Sequence, residues 1–140
     1  MPVKYLRDQR HAGTVAEIAA MKFPFPSEAY PDLETVVNLP KPSMSVAQHK
    51  GKDLYPDIVV VRRPGAWLKM SAQVETADTV NDETAAERWR PAAEAGDLYL
   101  YVPYGCVPET KRLCRKHGIH VAGIRVWRFR PVWGLQVAEA

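Results

Sequence analysis

Leu54-Tyr55-Pro56-Asp57-Ile58-Val59-Val60-Val61-Arg62-Arg63-Pro64-Gly65-Ala66-Trp67-Leu68-Lys69-Met70-Ser71-Ala72-Gln73-Val74-Glu75 is the stretch on which the fold turns. After Tyr-Pro, Asp57 to Val61 is dominated by β-branched residues, the composition of a strand buried on both faces. Arg62-Arg63-Pro64-Gly65 carries turn chemistry, with Pro and Gly adjacent. From Trp67 to Glu75 the pattern alternates, with Trp67, Lys69, Ser71, Gln73 and Glu75 on one side. Leu68, Met70, Ala72 and Val74 take the other. That period of two predicts a second strand with one apolar and one polar face. Two strands joined by a short turn form a hairpin. Its open end brings Asp57, where one strand starts, beside Gln73 and Glu75, where the partner ends.

Outward from the hairpin the chain alternates between helix and strand. Thr14 to Met21 reads as a helix, with Thr14 and Glu17 at capping-box spacing. An earlier helical stretch from Pro2 to His11 is broken near Gly13. Phe23 to Asp32 is a proline-punctuated loop, and Glu34 to Leu39 has strand composition. Beyond the hairpin a helix is expected from Asp82 to Ala95, capped by Asn81 and kinked or divided by Pro91. Leu98 to Val102 is a short strand. Pro108 to His117 is a helix with Gly118 after its end, and His120 to Phe129 is a final strand. Strands separated by single helices predict an α/β fold, a single domain over 1–140 with a mixed central sheet flanked by helices.

Composition narrows the class. The chain has 140 residues, 46% hydrophobic and 25% charged. A chain of this size buries roughly 68% of its unfolded surface, enough for one core. No apolar run approaches the ~18 residues of a membrane span, and the charged N-terminal segment is not a secretory signal. With only Cys106 and Cys114, a disulfide framework is not expected, and a reducing, cytoplasmic setting is. The 12 prolines mark either a linker or an ordered insertion. Because the stretch from Pro24 to Pro42 joins elements that cannot form a core alone, an insertion is predicted. The net charge of +3 conceals an asymmetry: seven acids lie between Ala72 and Asp97, and seven bases follow Gly105. A basic C-terminal third suits a polyanionic partner, though a solvated face accounts for it as well.

Paired carboxylates at strand ends supply hard oxygen ligands for Mg²⁺ or Mn²⁺. The Pro56-Asp57 strand start, the Gln73-Val74-Glu75 strand end and the order of elements resemble the PD-(D/E)xK nuclease superfamily, the restriction-endonuclease-like fold. Its core is a helix, three strands in a hairpin-rich sheet, a helix and a further strand. The resemblance runs from Thr14 to about Phe129. Val74 to Val80, Glu87-Arg88-Trp89 and Leu98 to Pro103 also look like segments of bacterial members of that superfamily. It implies Asp57 as the metal-binding aspartate, Gln73 at the second acid and Glu75 where the family has lysine. Glu17 would match the extra glutamate on the first helix. Lys69, Lys50 or Lys52 would replace the missing lysine. The implied activity is metal-dependent hydrolysis of DNA phosphodiesters, with a homodimer as one possible assembly. Because Gln-x-Glu departs from (Asp/Glu)-x-Lys, the rival is a catalytically inactive module of the same fold that binds nucleic acid or protein.

Three other features invite function. Arg125-Val126-Trp127-Arg128-Phe129-Arg130 interleaves aromatics with Arg125, Arg128 and Arg130, suiting a nucleic-acid strand. The alternative is an edge strand whose arginines discourage association. His49 either approaches the Asp57 pocket or is a solvated loop residue. Cys106, Cys114, His117 and His120 match no common zinc spacing, and Cys114 is expected in the core.

Overall fold

The computed structural model describes the backbone from Val3 to Ala140 and the side chains from Arg10 onward. Pro2, where the first helical stretch is predicted to start, lies outside the described residues. Helix α1 (Val3–Lys22) runs straight through Gly13, where a break is expected. An exposed helical glycine costs only about 1 kcal/mol relative to alanine. The buried stripe of Thr14, Val15, Ile18 and Ala19 carries the helix across it. Thr14 therefore does not cap; its hydroxyl donates to the Arg10 carbonyl at 2.9 Å.

Strand β1 (Leu33–Val37) is followed by a small ribbon, β2 (Ala47–His49) and β3 (Lys52–Leu54), which stands apart from the main sheet. The hairpin follows as β4 (Ile58–Arg62) and β5 (Trp67–Val74). Helix α2 spans residues 82–95, and β6 (Leu98–Pro103), α3 (Val107–His117), β7 (Gly123–Arg130) and β8 (Gly134–Glu139) complete the chain. The six-stranded sheet has the order β1-β4-β5-β6-β7-β8. Strand β4 is antiparallel to β1 and β5, whereas β5, β6 and β7 run parallel and β8 returns antiparallel. Parallel neighbours require a crossover, and α2 and α3 supply the two.

Alternating side chains feed two cores. On one face α1 packs Val15, Ile18 and Phe23 against Ile58, Val60, Ala72, Val74 and Tyr101. On the other, Ala85, Trp89 and Ala92 of α2 and Leu113 of α3 cover Leu98, Leu100 and Val102. The result is a mixed α/β domain in three layers. The proline-rich stretch is an ordered part of it, with Phe23 and Leu33 buried.

Two local departures matter for the site. The β4–β5 ladder shifts register between Val60 and Val61, so that Val60 pairs with Met70 and Val61 with Leu68. Lys69 is the extra residue of a β-bulge, which breaks the predicted alternation. In α2, Asn81 caps as expected, accepting from the Thr84 N–H at 2.8 Å. Instead of a break at Pro91, the helix widens into a π turn over Ala85–Trp89. Pro91 has no N–H for a helical bond and its ring crowds the preceding turn, which the wider turn accommodates.

Candidate functional site

Ile58 pairs with Ala72, so Asp57 enters β4 opposite Gln73. Its Oδ2 accepts the Val74 N–H at 2.8 Å, which ties the aspartate to the partner strand. Gln73 precedes Val74 and Glu75 follows it; both are 1% exposed, and Asp57 is 6% exposed. The three predicted site residues Asp57, Gln73 and Glu75 thus share one buried end of the hairpin. The Gln73 amide has no hydrogen-bond partner, nor does the Ser71 hydroxyl two residues before it on β5, and the Glu75 carboxylate is met at most by the Thr79 hydroxyl. The Thr79 hydroxyl by Glu75 donates to the Thr76 carbonyl at 3.2 Å. Each unmet buried polar group costs about 1–3 kcal/mol. Buried polar groups are normally satisfied, so such a cluster calls for a proton, a water or an ion to meet it.

Electrostatics point the same way. Burial pushes the Asp57 carboxyl above its usual range, opposed by the Val74 N–H, His11 and Arg88. Burial also raises Glu75; Arg88 opposes that, and the adjacent Asp57 adds to it. Two acids in a dry site favour a proton or a cation between them.

Sequence reasoning missed three contributors. His11 lies on the buried side of α1; its Nε2 donates to the Val74 carbonyl at 2.6 Å and stands 3.8 Å from Asp57 Oδ2. Arg88, in the π turn of α2, is the guanidinium whose charge reaches both carboxylates. Asn38, 2% exposed, donates through Nδ2 to the Pro56 carbonyl at 2.7 Å and through its backbone to the Asp57 carbonyl at 3.0 Å. A cleft of about 370 Å³ opens beside this cluster, with His11, Thr14, Thr76, Asp78, Trp127 and Phe129 in its walls. Trp127 Nε1 donates to the Glu75 carbonyl at 3.1 Å.

Other predicted residues lie elsewhere. Glu17 is exposed; six residues past His11 it lies about 240° further round the helix, so it does not join the cluster. Lys69 is exposed on the bulge, four residues or about 13 Å of strand from Gln73. Lys50 and His49 both pair with Glu87, at 2.7 and 3.0 Å, and Lys52 is exposed. Among the described residues no group of three or more His, Cys, Asp and Glu side chains is arranged to hold a metal ion. The amide of Gln73 stands outside that set of residue types. Cys106 and Cys114 are free thiols, and Cys114 is buried in the α3 core.

The three arginines of β7 do not form one stripe. Arg125 shares a face with Trp127 and Phe129, whereas Arg128 and Arg130 share the opposite one. Arg125 is also engaged: it pairs with Glu139 at 2.7 Å, bonds the Tyr101 hydroxyl and lies 4.5 Å from the Tyr99 ring centroid. Nor is β7 an edge, since β8 pairs with it along its length.

These features define a mixed α/β domain with a buried, incompletely satisfied acid–amide cluster at the end of a β-hairpin. Comparison with family models, with curated proteins and with solved structures finds no match for the chain. Among the described residues no helix is long and apolar enough to cross a membrane.

Proposed function

We propose that the chain is a metal-dependent hydrolase of DNA phosphodiesters, a variant of the restriction-endonuclease-like fold. The observation that carries this reading is the Glu75 carboxylate, 1% exposed and close enough to Asp57 for each charge to disfavour the other. The element order supports it: a helix, antiparallel strands ending in a hairpin, a helix, and a parallel strand. Asp57, Glu75 and the Gln73 carbonyl oxygen fit Mg²⁺ or Mn²⁺, which take hard oxygen donors. When bound, such an ion polarises a phosphodiester and lowers the pKa of an attacking water.

The chain's own groups prepare the site. Val74 N–H orients Asp57 from β5, and Asn38 holds the Pro56–Asp57 backbone from the loop after β1. Arg88 supplies the positive charge that the motif lysine would, acting from α2 rather than β5.

Calorimetric titration of Mn²⁺ into the wild type, Asp57→Asn and Glu75→Gln, alongside cleavage of plasmid DNA, tests the reading. Binding and cleavage in the wild type, with at least a tenfold loss of both in each variant and cooperative unfolding retained, is expected. No Mn²⁺ binding by the wild type at millimolar metal overturns it. That result would favour the second reading, a catalytically silent module of the same fold, which the 1% exposure of Glu75 supports.

A further inference from the structure

We propose that the outer face of β7–β8, together with Tyr104, binds single-stranded nucleic acid by stacking an unpaired base on the tyrosine ring. Tyr104 follows β6 and is 71% exposed. Its backbone N–H donates to the Trp127 carbonyl at 3.0 Å, and the turn closes with Cys106 N–H on the Pro103 carbonyl at 2.9 Å. Gly105 takes φ +95° in that turn, a conformation that leaves the ring facing outward at low backbone cost. The Arg128 guanidinium lies 4.8 Å from the ring centroid. A phenol ring fixed in the open beside a guanidinium is a stacking platform, because every base offers a π-face.

The surroundings define the partner. Val126, Arg128 and Arg130 share this face of β7, opposite Ala138, Gln136 and Gly134 of β8. Of these, Val126, Arg128, Gln136 and Ala138 line, with Tyr104, a concavity of about 520 Å³, within the roughly 300–1,000 Å³ of small-ligand sites; Arg130 follows along the strand. The acid at its margin, Glu139, is taken by Arg125 at 2.7 Å, so Arg128 and Arg130 keep their charge for phosphates. The hairpin tip extends the surface with Trp133, 73% exposed. A duplex keeps its base faces stacked inside and cannot use the tyrosine ring.

The inference is independent of metal binding, and its test is run with metal chelated. Failure of hydrolysis and failure of this surface are therefore separate results. Fluorescence anisotropy of a labelled oligo(dT) about a dozen nucleotides long, a length one to three small binding modules cover, is compared with a duplex of equal length. The wild type is expected to bind the single strand about tenfold tighter than the duplex. Tyr104→Ala should weaken that binding about tenfold or more, and Tyr104→Phe should restore it. Arg128→Gln combined with Arg130→Gln should lower the log–log salt slope by about 1.4, the value for two phosphate contacts on a single strand. Equal affinity in Tyr104→Ala, a preference for duplex, or no binding at low salt overturns the proposal. So does sedimentation that shows a dimer dissolved by Tyr104→Ala, since a second copy would then occupy this face.

Discussion

Asn38 makes four side-chain hydrogen bonds, donating to the Met44 and Pro56 carbonyls and accepting from the Ser43 and Met44 N–H groups. It closes the loop after β1 over the peptide that carries Asp57. Asn38→Ala is expected to cost about 2–4 kcal/mol, since it removes these bonds and strands buried backbone groups. Urea unfolding checks it, and a loss below 1 kcal/mol would show that the loop holds itself. At the residue scale, the hairpin pattern places Asp57, Gln73 and Glu75 at one end, and the β4–β5 register brings them there. At α1 the pattern misleads, because the capping-box spacing lies inside the helix rather than at its start. The signal for the true contributor is present: His11 precedes Val15 by four residues and Ile18 by seven, the spacing of one buried stripe. Glu17 falls outside that stripe. For Asn38 the bonds to Ser43 and Met44 are local, but the one to Pro56, eighteen residues on, is made only by folding.

Strand β5 and helix α2 each contain an irregularity, and on the proposed reading these separate the two candidate cations. Both Lys69, on the bulge, and Arg88, in the π turn, are exposed, but only the Arg88 charge acts on Asp57 and Glu75. Lys69→Ala is therefore expected to leave Mn²⁺-dependent cleavage within about twofold. Arg88→Gln should reduce kcat/KM by about 10–100-fold, the range for removing a group that acts on the metal-holding residues from outside them. Steady-state kinetics of the two variants side by side decide it, and the reverse order would return the lysine to the site. Most elements were legible because burial imposes a period: two in β5, one apolar stripe in α3. Strand β8 and the β2–β3 ribbon were not. Three-residue strands are too short to display a period, and the Lys50-Gly51 turn depends on positive φ at both residues, 52° and 78°. Gly134 to Glu139 alternates, but its partner β7 was read as a final strand.

At the scale of the molecule, the buried acids make stability depend on pH in an unusual direction. Asp57 and Glu75 have folded-state pKa values above their ordinary ones, so the folded chain holds more protons than the unfolded one in between. Their contribution is complete below the ordinary carboxylate range and is lost as pH rises through the raised values. Exposed Asp82 behaves oppositely: Lys116 and His117 hold it at about 2, so its contribution is present above 3.8 and lost as pH falls toward 2. The melting temperature of the chelated protein is expected to fall as pH rises above the ordinary carboxylate range. Glu75→Gln should flatten that slope and stabilise the neutral protein by about 1–3 kcal/mol. Calorimetry across pH checks it, and a melting temperature that rises over the same interval would count against two raised carboxyls.

Trp127 has a further consequence. Its indole N–H is bonded to the carbonyl of the residue that bears the central carboxylate, and the residue lines both the cleft and the outer concavity. Indole emission responds to local charge and polarity, so the chain carries an unlabelled optical gauge between its two surfaces. With the exposed Trp67 and Trp133 replaced by phenylalanine, only Trp127 and the fully buried Trp89 are left to emit, and protonation of Glu75 and occupancy of either surface become readable in their light.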